Sequence, residues 1–167
     1  HELRKRFGTV FQNDTIFEDT IMENINMGRE LSEEAVMEAV LYGRASEFVE
    51  EKGGISAQLD IKGANLSGGQ KQRILIARAL AAKPDILILD DSSSALDYKT
   101  DAALRKELRE HFAETTCVII AQRISSIMNS DHIMVLEDGQ MIGYGTHQEL
   151  METCEIYREI GKSQMGI

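Results

Sequence analysis

The sequence has few of the features that mark disulfide-rich, zinc-binding or membrane-spanning proteins. Its only two cysteines, Cys117 and Cys154, lie far apart and form no C-x-x-C pattern. We therefore expect neither a disulfide scaffold nor a zinc site, and a reduced, cytosolic setting fits. No secretory signal peptide opens the sequence. The longest apolar runs, such as 86–89, are far shorter than the ~20 residues that cross a membrane, so any spanning part is expected outside these residues.

An excess of positive charge is also missing. The chain carries 18 Lys and Arg against 28 Asp and Glu, a net charge of -10. Because a nucleic-acid interface usually shows as an excess of basic residues, this balance argues against a DNA or RNA partner. The length of 167 residues suffices for one domain with a hydrophobic core. There is no internal repeat and no low-complexity linker.

Apolar runs predict three strands. Residues 7–11 read as a short strand, and the runs 86–89 and 118–121 predict two further strands. Runs without polar alternation are typical of parallel strands that are covered on both faces. A helix predicted over 102–112 lies between the second and third strands, so these elements form a βαβ unit.

Capping residues and glycines predict the remaining elements. Residues 20–51 are helix-rich, with Ser32 as an N-cap, and Gly53-Gly54 interrupts them. A second helix is predicted over 71–82 and ends at Lys83, before Pro84.

The C-terminal part has a different pattern. Asp138-Gly139 lies between two apolar segments within 132–146, which predicts a β-hairpin. Thr146 to Glu149 fits a capping box at the start of a C-terminal helix.

The strongest chemical signal is the sequence Leu66-Ser67-Gly68-Gly69-Gln70. Ser67 and Gln70 fit a capping box, which places a helix N-terminus here. Glycines allow the backbone to approach a neighbouring group closely, and the exposed amides of a helix N-terminus can bind an anion. An ordinary capped helix after a glycine-rich turn is the alternative.

A second signal lies some twenty residues further on. Asp90 and Asp91 follow the apolar run 86–89, and ligands bind at the carboxyl ends of parallel strands. A carboxylate there can hold Mg²⁺ directly or through water. The alternative is a solvated acidic turn in which Asp91 or Ser92 caps the next helix.

Together these signals resemble the nucleotide-binding domain of ATP-binding-cassette (ABC) proteins. The matching positions are Gln12 for the Q-loop, Leu66 to Gln70 for the signature, Asp90 for the Walker B aspartate, Ser94-Ala95-Leu96-Asp97 for the D-loop, and Ala121-Gln122-Arg123-Ile124-Ser125 for the switch segment. The resemblance covers nearly the whole chain and implies a P-loop NTPase-like (RecA-like) α/β fold with ATP and Mg²⁺ as cofactors. It implies that Asp90 and Gln12 bind the Mg²⁺. It also implies nucleotide contacts from Gln12 and from the signature and D-loop residues Ser67, Gly68, Gly69, Gln70, Ser94 and Asp97.

The resemblance further implies a domain organisation. About 19–65 is the helical insertion, with the signature at its end, and 1–18 and 66–167 are the α/β core, which ends in a β-hairpin. The residues around Gln12 and in the signature match the sequence pattern of bacterial multidrug and lipid exporters. In that type a transmembrane domain precedes the ATPase domain, which works at the cytoplasmic face of the plasma membrane.

One family element is missing. The phosphate loop, G-x-x-x-x-G-K-[ST], does not occur, and its parallel strand is expected to be missing from the core. The only Gly-Lys-Ser is Gly161-Lys162-Ser163, where the earlier glycine of the pattern is Ile156. We expect the chain to begin downstream of the true loop and, by itself, to be inactive as an ATPase.

Two residues depart from the family at the hydrolytic step. Asp91 stands where a Glu usually orients the attacking water, so the carboxylate arm is one methylene shorter. A shift of about 1 Å at such a group can cost roughly a hundredfold in rate. Gln122 replaces the switch histidine and carries no titrating charge. Neutral drift is the alternative explanation for each change.

An intact signature beside these two changes predicts an asymmetric dimer. In ABC dimers, the signature of one subunit completes the ATP site of the other. We expect a second, different ABC subunit as partner. The segment 57–63 also departs from the exporter pattern, which puts its usual contact with the membrane domain in doubt. The alternatives are a homodimeric exporter with slow turnover, a soluble ABC ATPase and a non-catalytic nucleotide sensor. Gln70 and the negative charge disfavour a member that acts on nucleic acid.

Overall fold

A parallel sheet of three strands, in the order β1–β2–β3, forms the framework of the first part of the chain. The computed structural model describes residues 2–12 and 14–166, and it divides into two units between Ile120 and Ala121. The strands are β1 (Phe7–Val10), β2 (Ile86–Asp90) and β3 (Thr116–Ile120). The predicted α/β fold with parallel strands is confirmed.

The helices of this first unit flank the strands in sequence. They are α1 (Glu2–Lys5), α2 (Ile21–Asn26), α3 (Glu33–Tyr42), α4 (Ser46–Glu51), a short 3₁₀ helix (Ile61–Gly63), α5 (Gly68–Leu80) and α6 (Tyr98–His111). The helix-rich segment predicted over 20–51 is therefore present as α2, α3 and α4. Ser32 caps α3 as predicted, since its side chain accepts a hydrogen bond from the N–H of Ala35.

The α5 helix begins and ends earlier than the sequence predicts. The prediction of 71–82 is wrong at both ends, because the capping residue Ser67 already starts the helix at Gly68. The helix stops at Leu80, and Lys83 takes a left-handed φ of 46° just before Pro84. A residue before proline is disfavoured in the helical region, so the helix cannot continue through Lys83.

The α6 helix also starts earlier than predicted. It begins at Tyr98 rather than at 102, because Asp97 is its N-cap. The alternative in which Asp91 or Ser92 caps this helix is wrong. Asp101 and Arg105, four positions apart on this helix, form an ion pair of 3.2 Å whose side chains are both largely buried.

The strands are less covered than their apolar sequences predict. In β2, Leu87 and Leu89 are fully buried, but Ile86, Ile88 and Asp90 are only partly buried. In β3, Val118 and Ile120 are 45% and 50% exposed. The prediction that these strands are covered on both faces is wrong. Ile119 packs on the core, but among the described residues nothing fully covers the opposite face of β3, which is an edge strand.

The core of the first unit joins helices α2 and α3 to α5. Helices α2 and α3 pack on α5, and α5 packs in turn on β1. This core includes the fully buried side chains Ile21, Ile25, Val36, Ile74, Ile76 and Leu87. Helix α5, which starts at the signature, is therefore held by α2, α3 and β1.

Over residues 121–166, the second unit contains a hairpin and three helices. Its elements are α7 (Ile124–Ile127), β4 (Ile133–Glu137), β5 (Gln140–Gly145), α8 (His147–Thr153) and α9 (Glu155–Met165). Asp138 and Gly139 both have positive φ, as the predicted two-residue turn requires. Thr146 and Glu149 form the predicted capping box of α8. Among the described residues, no helix has the length and apolar character to span a membrane.

Candidate functional site

The signature forms a capped helix N-terminus. The hydroxyl of Ser67 accepts from the N–H of Gln70 at 3.2 Å, and Gln70 Oε1 accepts from the N–H of Ser67 at 2.9 Å. These two bonds are the predicted capping box. Gly68 and Gly69 occupy the first positions of α5, where backbone amides have no acceptor within the helix. This end of α5 can therefore offer amides to an anion.

Gly69 lies close to the D-loop. A Cβ atom on Gly69 would be 3.1 Å from the carbonyl oxygen of Ala95, whereas one on Gly68 would reach no atom nearer than 3.9 Å. The expected close backbone approach thus applies to Gly69, and the neighbour is the main chain of the D-loop. The structure brings the signature and the D-loop together.

The carboxyl ends of β1 and β2 place two predicted residues in contact. Val10 pairs with Leu89, so Gln12 and Asp91 both follow the strands at the same edge of the sheet. Nε2 of Gln12 donates to Oδ2 of Asp91 at 3.2 Å. Asp91 has a φ of 49°, in the left-handed region that Asp tolerates better than most residues.

The D-loop is bound to both of its neighbouring elements. Ser94 donates from its N–H and its hydroxyl to the carbonyl oxygen of Asp91, at 3.2 and 2.9 Å. Asp97 accepts from the N–H of Thr100 at 2.9 Å and from its hydroxyl at 2.7 Å. These bonds hold the pKa of the Asp97 carboxyl below its usual value, and the largest contribution comes from the backbone N–H of Thr100.

Gln122 lies in the second unit and is exposed. Its carbonyl oxygen accepts from Nε2 of Gln164 at 2.7 Å, while Oε1 of Gln164 accepts from the N–H of Ile124 at 2.9 Å. Gln164, on α9, therefore fixes the backbone of the switch segment through one amide group. The role of Gln164 is not predictable from the sequence, because no local pattern links it to a segment 42 positions earlier.

Arg78 is a second residue that sequence analysis missed. From α5 it donates to the carbonyl oxygen of Asn24 at 2.7 Å and to that of Thr15 at 3.0 Å. Its guanidinium also lies 5.5 Å from the ring centroid of Phe17, and burial lowers its pKa. The sequence did contain a signal for such a contact, because Arg78 is a charged residue within the apolar run 74–80 of a buried helix. Arg78 connects the signature helix to the segment that follows Gln12.

The predicted metal ligands suit Mg²⁺ in chemical type. The Asp90 carboxylate and the Gln12 amide oxygen are the hard donors that Mg²⁺ prefers, and both residues are at least partly exposed, which leaves room for water. Within residues 2–12 and 14–166, no three His, Cys, Asp or Glu side chains converge as a closed metal site. Mg²⁺ is usually held by one or two carboxylates together with phosphates and waters, so the donors fit that use.

Comparison with known proteins agrees with these features. The sequence profile of the family described as "ABC transporter" matches residues 1–94. The chain is 44% identical over 166 residues to "Uncharacterized ABC transporter ATP-binding protein YfiB" of Bacillus subtilis (strain 168), which covers 98% of this chain and 29% of that protein. It is 40% identical over 164 residues to "ATP-dependent lipid A-core flippase" of Francisella tularensis subsp. tularensis (strain FSC 198), covering 96% of this chain and 27% of the flippase.

A solved structure has the same fold. "Structure of a bacterial Atm1-family ABC exporter with ATP bound" matches with a TM-score of 0.92 and 35% identity, over 97% of this chain and 29% of that one. The chain thus spans less than a third of the length of the relatives it matches. The profile match, the fold and the order of the motifs together place this chain in the ABC transporter family, as part of its ATP-binding domain.

Proposed function

We propose that this chain is part of one subunit of a heterodimeric exporter that hydrolyses ATP mainly at one of its two ATP sites. The sandwich arrangement of the family, in which one subunit's signature completes the other's site, assigns the signature of this chain to the partner's ATP. The observation that carries the proposal is the contrast between an intact capped signature and the substitutions Asp91 and Gln122.

The signature is equipped for this role by its local geometry. The capping box occupies the N–H of Gln70, while the first amides of α5 at Gly68 and Gly69 have no acceptor within the helix. Preorganised amides of this kind contribute strongly to stabilising developing charge, since removing one donor typically costs about 10² to 10³ in kcat. The signature can thus supply the partner's ATP site with backbone hydrogen-bond donors.

The subunit's own site is weaker at the hydrolytic step. A Glu at position 91 would extend one methylene beyond the Asp91 carboxylate, and a His at position 122 would supply a ring that Gln122 lacks. We infer that this site binds Mg-ATP, with Mg²⁺ on Asp90 and Gln12, and turns over slowly. ATP is supported as the nucleotide by a relative whose name includes "ATP-dependent" and by an exporter structure that carries ATP.

The names of two relatives support an export function and a membrane location for the whole protein. One relative is called a flippase and the matching structure is an exporter. We propose that a transmembrane domain belongs to the same protein and that this domain works at the cytoplasmic face of the bacterial plasma membrane. No nucleic-acid partner is proposed.

The ATPase rate of the assembled transporter tests the asymmetry. With the wild-type partner, Ser67→Ala or Gly69→Asp should lower the rate about a hundredfold. Ser67→Ala removes a hydroxyl donor from the partner's competent site, whereas Gly69→Asp adds a carboxylate that repels phosphate and a Cβ atom 3.1 Å from the carbonyl oxygen of Ala95. Asp91→Ala should change the rate by less than about threefold, since the altered site contributes little (a factor of three is below 1 kcal/mol).

A matched control separates loss of a helix cap from loss of the signature. Ser32 caps α3 through a hydrogen bond of 3.2 Å, the same length as that of Ser67, but lies outside the signature. Ser32→Ala should therefore leave the ATPase rate nearly unchanged. A homodimer with two slow sites predicts the reverse pattern: severe loss from Asp91→Ala with little effect of the signature changes would refute the heterodimer.

A further inference from the structure

The side-chain amide of Gln164 bridges the backbone of the switch segment at two positions. Its Nε2 donates to the carbonyl oxygen of Gln122 at 2.7 Å, and its Oε1 accepts from the N–H of Ile124 at 2.9 Å. A carbonyl oxygen only accepts and an N–H only donates, so these two partners together fix which way the amide faces. The side chain thus pairs with this stretch of backbone much as a neighbouring strand would.

The bridged backbone carries Gln122 on one side and begins α7 on the other. The α7 helix has four residues, and the side chain of its N-cap residue, Arg123, has only donors and cannot accept from the first amides. Those amides have no acceptor within the helix, and Gln164 supplies one to Ile124. A helix this short gains little from its own hydrogen bonds. The Gln164 amide therefore fixes the point at which the extended backbone of Arg123 gives way to α7.

Helix α9 can hold this amide in place because the helix is anchored near its other end. Tyr157 is 3% exposed in the core of the second unit, and its hydroxyl lies 2.9 Å from Nδ1 of His147 on α8. Arg158 donates to two carbonyl oxygens near the end of α8, at 3.4 and 3.2 Å. Residues seven positions apart lie on one face of a helix, so the face that buries Tyr157 also carries Gln164. Gln164 therefore reaches the switch segment from a fixed support.

We propose that Gln164 is a positioning residue for Gln122 and thereby for this subunit's own ATP site. The proposal rests on the proposed function in one respect, because it takes Gln122 to face the terminal phosphate of ATP. A glutamine amide can donate to a phosphate oxygen, and ADP lacks that terminal phosphate. Without the Gln164 bridge, the backbone at Gln122 is free to shift and its side chain loses this alignment. The preference of the site for ATP over ADP therefore depends on Gln164.

Two substitutions at Gln164 separate its hydrogen bonds from its packing. Gln164→Met keeps the length of the side chain but removes the amide, whereas Gln164→Ala removes both the amide and the chain that carries it. If the hydrogen bonds are what matter, the two variants behave alike. Gln148→Met and Gln148→Ala, at an exposed glutamine on α8, are the matched controls.

Hydrogen–deuterium exchange of the full-length, nucleotide-free subunit is the first readout. Peptides that cover 121–127 should exchange about fivefold faster in both Gln164 variants, a factor typical of losing one hydrogen bond. The two Gln148 variants should leave the exchange of these peptides within about twofold of the wild type. This readout requires no nucleotide and reports directly on the backbone that the amide bridges.

The ratio of ATP affinity to ADP affinity is the second readout, measured by competition against a fluorescent ATP analogue on the full-length subunit. Gln164→Met should lower the preference for ATP about fivefold, as should Gln122→Ala, while ADP affinity stays within about twofold. The double variant should be no worse than Gln122→Ala alone, because both changes act through one side chain. A merely structural role of Gln164 would instead lower the affinities for ATP and ADP together.

Three outcomes would overturn the proposal: unchanged exchange of 121–127 in Gln164→Met, equal losses of ATP and ADP affinity, or additive effects in the double variant. A ratio that changes in Gln122→Ala but not in Gln164→Met refutes the proposal alone. A ratio that does not change in Gln122→Ala refutes the assumed role of Gln122 and the proposal with it. The asymmetry of the dimer is judged separately, from the ATPase rates of the signature variants, so the two failures are distinguishable.

Discussion

Arg78 binds Asn24 at two places, although 54 positions separate the residues in the chain. Its Nε donates to the Asn24 carbonyl oxygen at 2.7 Å, and its Nη2 donates to Asn24 Oδ1 at 3.2 Å. Asn24 itself is 1% exposed and donates from Nδ2 to the carbonyl oxygens of Phe17 and Thr20, each at 3.0 Å. The arginine and the asparagine thus connect α5, which starts at the signature, to α2.

Replacing Arg78 should destabilise the domain strongly. Arg78→Ala removes every bond that the guanidinium makes and leaves two partly buried oxygens of Asn24, as well as the exposed carbonyl oxygen of Thr15, without this donor. We expect the free energy of unfolding to fall by about 3 kcal/mol, and Arg78→Lys to recover little, because an ammonium cannot reproduce the planar fork. Denaturant unfolding of the full-length subunit, monitored by a probe in this domain, measures the change.

The control for Arg78 is Arg109, an exposed arginine in the last turn of α6. Arg109→Ala should change the free energy of unfolding by less than about 0.5 kcal/mol. Equal effects of the two substitutions would contradict the special role of Arg78.

The N-cap residue Asp97 should make the stability of α6 depend on pH in the acidic range. The pKa of Asp97 is lowered in the folded protein, chiefly by the backbone N–H of Thr100. The stabilisation is therefore fully present above the unfolded-state pKa of about 4 and is lost as the pH falls through the lower folded-state pKa. Asp97→Asn keeps a cap of similar quality but does not titrate.

Thermal unfolding measured over a pH series distinguishes the Asp97 cap from the Asn cap of Asp97→Asn. The thermal midpoint of the wild type should fall relative to that of Asp97→Asn as the pH drops from 5 to about 3. Above this window the difference between them should be constant. A difference that stays constant throughout the series would show that the Asp97 carboxylate does not contribute through its charge.

Local sequence patterns predicted the elements better than their boundaries. The strands were found because each is a short apolar run, and the hairpin because Asp138-Gly139 suits positive φ. The start of α6 was missed because its first turn is polar and shows no apolar period. Only the cap at Asp97, with Thr100 three residues later, marks it.

The contacts within the site were less accessible to sequence reasoning. The pairing of β1 with β2 brings Gln12 to Asp91 across 79 positions, and an amide on α9 holds the backbone of Gln122. Such contacts depend on which strands and helices pack together, and no local pattern specifies that. The exposure of β3 was missed for a related reason, since an apolar run does not reveal which of its faces is covered.

Asp90 and Asp91 should differ in their effect on nucleotide binding. We expect Asp90→Asn to weaken Mg-dependent nucleotide binding at this subunit's own site about tenfold or more, because Mg²⁺ loses a charged oxygen ligand. Asp91→Ala should affect binding much less, since its carboxylate contacts Gln12 and is proposed to act on water. Equilibrium binding of a fluorescent ATP analogue to the full-length subunit, titrated with Mg²⁺, distinguishes them. Equal losses from both changes would show that the two roles are wrongly assigned.

The 167-residue chain alone should bind ATP weakly and should not hydrolyse it. No G-x-x-x-x-G-K-[ST] occurs in the sequence, so the amides and the lysine that cradle phosphates are not supplied by these residues. Gly161-Lys162-Ser163 cannot substitute, because it lies within α9, where the backbone amides serve the helix. We expect a Kd of about 1 mM or weaker by calorimetry with Mg-ATP, equivalent to about -4 kcal/mol.

Lys162→Ala should leave that Kd unchanged, whereas the full-length subunit should bind Mg-ATP far more tightly. A micromolar Kd for the 167-residue chain, or loss of binding in Lys162→Ala, would show that these residues hold a phosphate site of their own.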